Sequence, residues 1–374
     1  MRELPPVIQQ VDRTYALFRG RKYSYFGGCD YFRLASHPKV LQAVREGVRK
    51  YGLNVSASRA TTGNHALYER LEKELSGHFE AEAALLVSSG YLTNLVVAQG
   101  LAGEFSHALI DQRAHVCLAD AAKVLGCSVV PFRHRDPADL ARIARRLGAR
   151  SRPILLTDGM FAHDGSVAPQ RAYRRVLPRN GWMLVDDAHG AGVLGRTGRG
   201  SVELEGVDRR QLIQTITLSK AFGGYGGAVL CPRTVREKIL ARSRLFVGNT
   251  PLPLPLANAA LAALGLLRQD RRLRWRLGEN VADCKRRLRL GGLLLPDHPG
   301  PIICIVPRTH REAAALSRRL LKSGILPPWT QYPGGPNEGY FRFTVSSEHT
   351  RGQLDVLVET LIDHYAAAGR RDGG

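Results

Sequence analysis

Apolar and polar positions follow two rhythms along this chain, and the switching between them predicts its architecture. Between about residues 66 and 245, short apolar runs recur: EAALLVS (82–88), HALID (107–111), CSVVPF (127–132), PILLTD (153–158), WMLVDD (182–187), LIQTITL (212–218) and GGAVLC (226–231). Short aliphatic and β-branched runs of this kind read as strands. Stretches such as LYERLEKELSGHF (67–79) and PADLARIARRLG (137–148) lie between them with the spacing of amphipathic helices. The alternation predicts an α/β fold: a mostly parallel sheet covered on both faces by helices. The last two runs are too close for a helical crossover and are expected to form an antiparallel or irregular pair.

The rhythm changes near residue 251. PLPLPLANAALAALGLL begins as a proline-marked turn and becomes a long apolar helix. A smaller α+β region follows, with strands at PIICIVP (301–307) and FRFTVS (341–346) and helices over 310–323 and 350–367. The expected divisions are an N-terminal segment 1–33, a large domain 34–265 and a small C-terminal domain 266–374, consistent with roughly 150 residues per domain. No internal repeat or low-complexity segment interrupts this order; only the closing GRRDGG has the composition of a frayed end.

Charge complicates the picture. The net charge is +21, and such a balance first suggests nucleic acid. Yet the runs ARIARRLGAR (141–150), RRLRWRLG (271–278) and CKRRLRL (284–290) read as exposed faces of separate helices, with no aromatic-interleaved basic block or zinc-finger spacing. A solvated basic surface is the first reading. Attraction of an anionic substrate or an acidic carrier protein is the second, and nucleic acid is not an expected partner. Six cysteines without a CxxC pair argue against zinc or a redox dithiol and suit a reducing compartment. MRELPPVIQQVDR has no apolar signal core, and no apolar run reaches the roughly 18 residues of a membrane span. The expectation is a soluble cytoplasmic protein with no membrane insertion and no metal site.

Ligands of open α/β sheets sit beyond the carboxyl ends of the strands, so chemistry is sought there. SGYLTN follows the first run, offering Ser89, Gly90 and Tyr91 at a helix start suited to an anion. HALID is followed by QRAH, placing His115 at the rim, and PILLTD by GMFAHDG. WMLVD ends in Asp186, with His189 three residues on, and QTITL runs from Thr217 into Ser219, Lys220 and the glycine-rich AFGGYGG. This series supplies what pyridoxal 5′-phosphate (PLP) needs: an amine for an imine, a carboxylate to keep the ring nitrogen protonated, a group to cover the ring, and hydroxyls and amides for the phosphate. Singly, a strand-end Asp or a Lys is more often structural; the ordered series is what carries weight.

The residues GNHALYERLEKEL, SSGYLTN, DGMFAHDGSVAP, LVDDAHGAGVLGRTGRGS and TLSKAFGGYGGAVL resemble the α-oxoamine synthases, a family of fold-type I PLP enzymes, over about residues 24–365. The resemblance implies that Lys220 forms the imine and shuttles the α-proton, Asp186 pairs with the pyridine nitrogen, His189 bonds the phenolic oxygen and His115 stacks on the ring. It further implies that Gly90 and Tyr91 offer amides and Thr217 its hydroxyl to the phosphate, with Ser89 beside them. Thr250 in FVGNTPLPLP would reach the phosphate of a neighbouring subunit, making a homodimer with shared sites, and Arg342 in YFRFT would bind the amino-acid carboxylate.

The chain departs from the family pattern on the substrate side. GGCDYFRL places Cys29 where the family has an asparagine facing substrate; Cys29 reads first as a small packed residue. DGMFAHDG puts Asp158 for a glutamate, Ala162 for a serine that helps hold the cofactor's oxygen, and His163 for a methionine. AHVC stands for the usual Asn-His-Ala-Ser, and Tyr68 for a common histidine. His134, His310 and His349 read as structural or exposed. The implied reaction is condensation of an amino acid with an acyl thioester, on coenzyme A or an acyl carrier protein, with loss of CO₂ to an α-amino ketone, in a specialised biosynthetic pathway. The alternatives are an aminotransferase, decarboxylase or other carbon–carbon bond enzyme on the same fold, and a catalytically silent partner subunit. Retention of Lys220 weighs against the last.

Overall fold

The computed structural model describes residues 6–148, 150–331, 335–336 and 338–369; the GRRDGG expectation falls, from residue 370 on, outside them. The first elements are ones the apolar rhythm did not announce. β1 (Gln10–Asp12), β2 (Tyr15–Phe18) and β3 (Arg21–Ser24) form a small antiparallel sheet. These strands are short and largely exposed, so no alternation of buried positions marks them. They join the far end of the chain. Ser24 N–H donates to Gly324 O at 2.8 Å, Leu326 N–H donates to Ser24 O at 3.0 Å, and Gln353 Nε2 donates to Thr14 O at 3.1 Å.

All seven predicted runs enter one sheet. Its strands are β4 (Ala83–Val87), β5 (His107–Asp111), β6 (Ser128–Phe132), β7 (Pro153–Asp158), β8 (Trp182–Asp186), β9 (Leu212–Thr217) and β10 (Gly227–Cys231), in the order β4-β10-β9-β8-β7-β5-β6. β5 to β9 pair in parallel, while β10 runs antiparallel to both β9 and β4, as the short connection between its run and the previous one demands. β7, β9 and β10 are buried along their whole length, which is why they read as continuous apolar runs rather than alternating ones. Because β5, β7, β8 and β9 are parallel, their last residues, Asp111, Asp158, Asp186 and Thr217, gather at one edge.

The flanking helices begin where the sequence provides caps. Asp136 accepts from Asp139 N–H at 2.9 Å ahead of Pro137–Leu147, a helix with proline in its first turn and Gly148 beyond its end. The apolar helix Leu254–Gln269 lies against Pro38–Tyr51; a Cβ on Gly47 would stand 2.7 Å from Pro255 Cα, so only glycine allows this approach. The C-terminal region carries β11 (Ile302–Ile305), β12 (Trp329–Thr330) and β13 (Tyr340–Thr344) in the antiparallel order β11-β13-β12, with helices His310–Lys322 and Arg351–Gly369. One expectation is corrected: the basic runs 271–278 and 284–290 share a single helix, Arg271–Leu290. Nothing in ENVADC between them breaks helical propensity, so the two runs continue one element. No helix among the described residues is long and apolar enough to cross a membrane.

Candidate active site

Lys220 follows β9, and His189 lies three residues past the end of β8. Parallel pairing of these strands brings the two together: Lys220 Nζ is 2.8 Å from His189 Nε2. The other ring nitrogen, Nδ1, is 2.7 Å from Tyr31 Oη. Tyr31 comes from the segment before the first helix, 158 residues away in the chain, and is fully buried. Burial, then the charge of Lys220, holds the His189 imidazole well below its ordinary pKa. Burial likewise raises the Tyr31 phenol, with Cys29 adding to it. Both groups are therefore neutral near pH 7.

Asp186 ends β8 directly beside Asp158, the last residue of β7. Asp186 Oδ2 accepts from Asn94 Nδ2 at 2.7 Å and from Cys117 Sγ at 3.2 Å, and its Oδ1 accepts from Ala188 N–H at 3.1 Å. Asn94 is itself fixed by Thr215 Oγ1, which donates to its Oδ1 at 2.8 Å. Asp158 accepts from His115 N–H at 2.8 Å, and burial, then the charge of Asp186, raises it well above the usual carboxylate range. Of two adjacent carboxyls, Asp158 thus keeps its proton.

His115 caps the helix Val116–Val124, and its Nδ1 accepts from Cys117 N–H at 3.2 Å. Burial lowers its pKa, which leaves the ring neutral. Donor atoms of His115, Cys117 and Asp186 lie within 4.8 Å of one another, near enough in distance for a metal ion. Burial and the Asp186 charge raise the Cys117 thiol far above its ordinary value, so it lies as a thiol against the carboxylate.

On the opposite side, Ser89 caps the helix Gly90–Gly100 by accepting from Leu92 N–H at 3.4 Å. A Cβ on Gly90 would fall 2.7 Å from Thr217 Oγ1. Thr217 Oγ1 in turn lies 2.8 Å from Ser219 Oγ. The helix start and these two hydroxyls therefore adjoin. The Tyr91 hydroxyl donates to Asp120 Oδ2 at 2.5 Å, and its ring meets that of His115 edge-on at 6.2 Å. Thr250 is exposed; its neighbour Asn249 donates to Ser88 Oγ at 2.6 Å, so the segment reaches the same rim.

Arg342 projects from β13. Its Nε donates to Ala162 O, and its Nη1 to Thr344 Oγ1 at 3.1 Å and Gly28 O at 3.3 Å. Its Nη2 is buried and makes no hydrogen bond among the described residues. Such a buried guanidinium nitrogen wants an anionic acceptor. Cys29, next to Gly28, packs partly buried against the core beside Arg342 and Tyr31. His163 lies buried between Asp164 Oδ2 at 3.1 Å and Arg113 Nη1 at 3.2 Å, a packed polar residue.

These features fit the cofactor that the motifs imply. A buried strand-end carboxylate with ordered partners stands ready for a protonated ring nitrogen, an amine stands beside it, and a glycine-opened helix start meets two hydroxyls. Three participants were missed in the sequence reading: Tyr31, Asn94 and Cys117. Asn94 and Cys117 sit inside quoted motifs, but only their burial against Asp186 shows what they do. Tyr31 likewise sits inside a quoted run, GGCDYFRL, but its role depends on a contact 158 residues away in the chain.

Comparison with known proteins agrees. The model of the family described as aminotransferase class I and II matches residues 27–361. The chain is 38% identical over 345 residues to 8-amino-7-oxononanoate synthase of Thioalkalivibrio sulfidiphilus, covering 91% of this chain and 88% of that one. It is 35% identical to the enzyme of the same name from Methylococcus capsulatus, covering 96% and 93%. Serine palmitoyltransferase from S. paucimobilis, solved with a bound PLP–myriocin adduct, superposes with a TM-score of 0.90 at 25% identity, covering 97% of this chain and 92% of that one. The chain belongs to the aminotransferase class I and II family and, within it, to the α-oxoamine synthases.

Proposed function

We propose that this α-oxoamine synthase, a PLP-dependent acyltransferase, condenses an amino acid with an acyl thioester on the residues gathered at the ends of β7, β8 and β9. When bound, PLP supplies an electron sink for charge left on the substrate's α-carbon. Asp186, held by Asn94 and Cys117, keeps a cation at the ring nitrogen. Lys220 Nζ would be the amine that holds the cofactor and the group that moves the α-proton. His189 offers Nε2 to the phenolic oxygen, and neutral His115 covers the ring. Ser89, Gly90, Tyr91 and Thr217 hold the phosphate, with Thr250 of a second subunit completing it in a C₂ dimer. Arg342 takes the amino-acid carboxylate on its unsatisfied Nη2. Cys29 lines the same end of the site.

The chain divides into a large unit, 34–265, and a small one, 266–374, and the described residues of 1–33 bond to the latter through Thr14 and Ser24. The observation that carries the reading is the hydrogen-bonded chain from Tyr31 through His189 to Lys220, set beside a buried, ordered Asp186.

The test is a spectral titration of the cofactor-loaded protein with the common amino acids, followed by mass analysis of products from a panel of acyl thioesters. Release of CO₂ and an α-amino ketone supports the reading. Transfer of the amino group to an oxo acid, or CO₂ release without acyl incorporation, would replace it with aminotransferase or decarboxylase chemistry. Borohydride should fix the cofactor on Lys220, and a mass map placing the adduct on another lysine would overturn that assignment.

A further inference from the structure

Away from the strand ends lies a second, chemically distinct recess of about 270 Å³, lined by His78, Arg196, Thr197, Arg268, Arg271 and Arg274. Three parts of the fold build it. His78 comes from the last turn of Ala66–Phe79, Arg196 and Thr197 from the loop after β8, and the remaining arginines from the junction of Leu254–Gln269 with Arg271–Leu290. The loop is held in shape by Glu203, which accepts from Thr197 N–H at 3.0 Å, Thr197 Oγ1 at 2.9 Å and Arg199 N–H at 3.0 Å. Gly198, at φ +84°, lets Arg274 pass: a Cβ there would stand 3.1 Å from Arg274 Nη1.

The carboxylates nearby do not balance these cations. Glu74 pairs with Arg268 at 2.6 Å, and Glu80 with Arg199 at 2.5 Å. Glu203 is occupied by the loop, and Asp270 caps the following helix through Arg272 N–H. Among the described residues, Arg196, Arg271 and Arg274 have no carboxylate partner. A cleft lined by one sign of charge concentrates counter-ions. Planar guanidinium forks match the paired oxygens of phosphates and carboxylates, and the higher charge of a phosphate suits several cations without carboxylate partners. The volume approaches the lower end of small-ligand sites, roughly 300 Å³.

We propose that this recess is a binding site for a small phosphate-bearing anion, of the class of pyrophosphate and nucleoside diphosphates, separate from the candidate active site. Arg196, Arg271 and Arg274 grip the phosphates, and Thr197 and His78 form the floor. The imidazole reports on the field there. Burial, then Arg268, Arg199 and Arg274, push His78 down to about 4 against an opposing contribution from Glu203. A bound anion reverses that field and raises the His78 pKa.

The test is calorimetric titration of the cofactor-loaded protein at low ionic strength with pyrophosphate, ADP and adenosine. It is repeated on R196E/R271E, whose side chains are exposed and outside the catalytic machinery. Pyrophosphate and ADP should bind and adenosine should not. The double variant should keep its Tm and turnover and lose about tenfold or more in affinity, the scale of charge-assisted hydrogen bonds. The His78 ring resonances should titrate at higher pH when pyrophosphate is present. Equal affinities for pyrophosphate and ADP would mark a site that reads phosphate alone; tighter ADP would add the nucleoside. The proposal fails if neither phosphate binds, if affinity is unchanged in R196E/R271E, or if the His78 titration does not move. None of these readouts depends on the reaction at Lys220.

Discussion

Tyr31 Oη lies 2.7 Å from His189 Nδ1, on the side of the ring opposite the 2.8 Å contact of Nε2 with Lys220 Nζ. A neutral imidazole has one N–H. The charged Lys220 Nζ can only donate, so Nε2 accepts from it and the ring's one N–H sits on Nδ1, facing Tyr31 Oη. Tyr31 is thus a positioning residue. Tyr31→Phe should reduce kcat roughly three- to tenfold, in line with about 0.5–1.5 kcal/mol for one net hydrogen bond. It should also shift the pH dependence of the holoenzyme's visible band. If both stay as in the wild type, the Tyr31 contact does not position the imidazole.

Asp158 and Asp186 stand opposite each other in register, yet only one should matter as a charge. Asp186→Asn removes the proposed partner of the ring nitrogen and should cost about two orders of magnitude or more in turnover with the fold intact. Asp158→Asn replaces a carboxyl that already holds its proton and should keep most activity. Stability gives the sign. A raised folded pKa means stability is fully present below the unfolded value of about 3.9 and is lost as pH rises from there through the folded value. Asp158→Asn abolishes that loss, so its Tm relative to wild type should increase from pH 5 to pH 8, by at most about 1.4 kcal/mol of stability per pH unit. A relative Tm that stays flat over that range would show Asp158 ionised in the folded protein.

The same pair shows how far the sequence could be read. Runs such as PILLTD and WMLVDD are apolar and then abruptly acidic, so both the strands and the residues that gather at their ends were visible, Lys220 and His189 included. Periodicity is a local property, and the parts it could not reveal are non-local. The strand order, the attachment of β1–β3 to Gly324 and Gln353, and the Tyr31–His189 contact each join residues far apart in the chain. The departures at Ala162 and Cys29 look severe in sequence, yet Arg342 bonds the backbone carbonyls of Ala162 and Gly28, contacts that survive any change of side chain.

Arg342 supplies the sharpest separation of binding from chemistry. Its Nε and Nη1 are anchored and its Nη2 is unsatisfied, so the guanidinium is fixed and one donor is spare. Lysine has the charge but not the fork. Arg342→Lys should raise KM for the amino acid roughly tenfold or more while kcat changes much less, a loss typical of charge-assisted bonds. A fall in kcat at constant KM would place Arg342 in the transition state rather than in ground-state recognition.

The acyl donor is the remaining choice, and charge distribution argues for a carrier protein. At +21 the chain should steer a polyanionic thioester, with the gain fading as salt shortens the Debye length from about 10 Å at 0.1 M to about 3 Å at 1 M. Coenzyme A is compact, so capture of its thioester needs few cations close to the site mouth. A carrier protein presents a wide acidic face and needs many. Placing two basic runs on one helix narrows the spread expected from sequence, and Arg286, Arg287 and Arg289 are paired with Asp283, Asp355 and Asp297. Exposed arginines without an ion pair among the described residues still occur on both helices, Arg145 and Arg146 on Pro137–Leu147, and Arg271 and Arg272 on Arg271–Leu290. Comparing kcat/KM for one acyl group on a carrier protein and on coenzyme A between about 0.1 M and 1 M salt should show a fall of about tenfold for the carrier and a smaller one for coenzyme A. Reversing the Arg145–Arg146 pair to glutamate should depress the carrier reaction alone. A salt response that is flat for both donors would confine the positive surface to solubility. A steeper response for coenzyme A would make it the donor and leave the roles of Lys220 and Asp186 untouched.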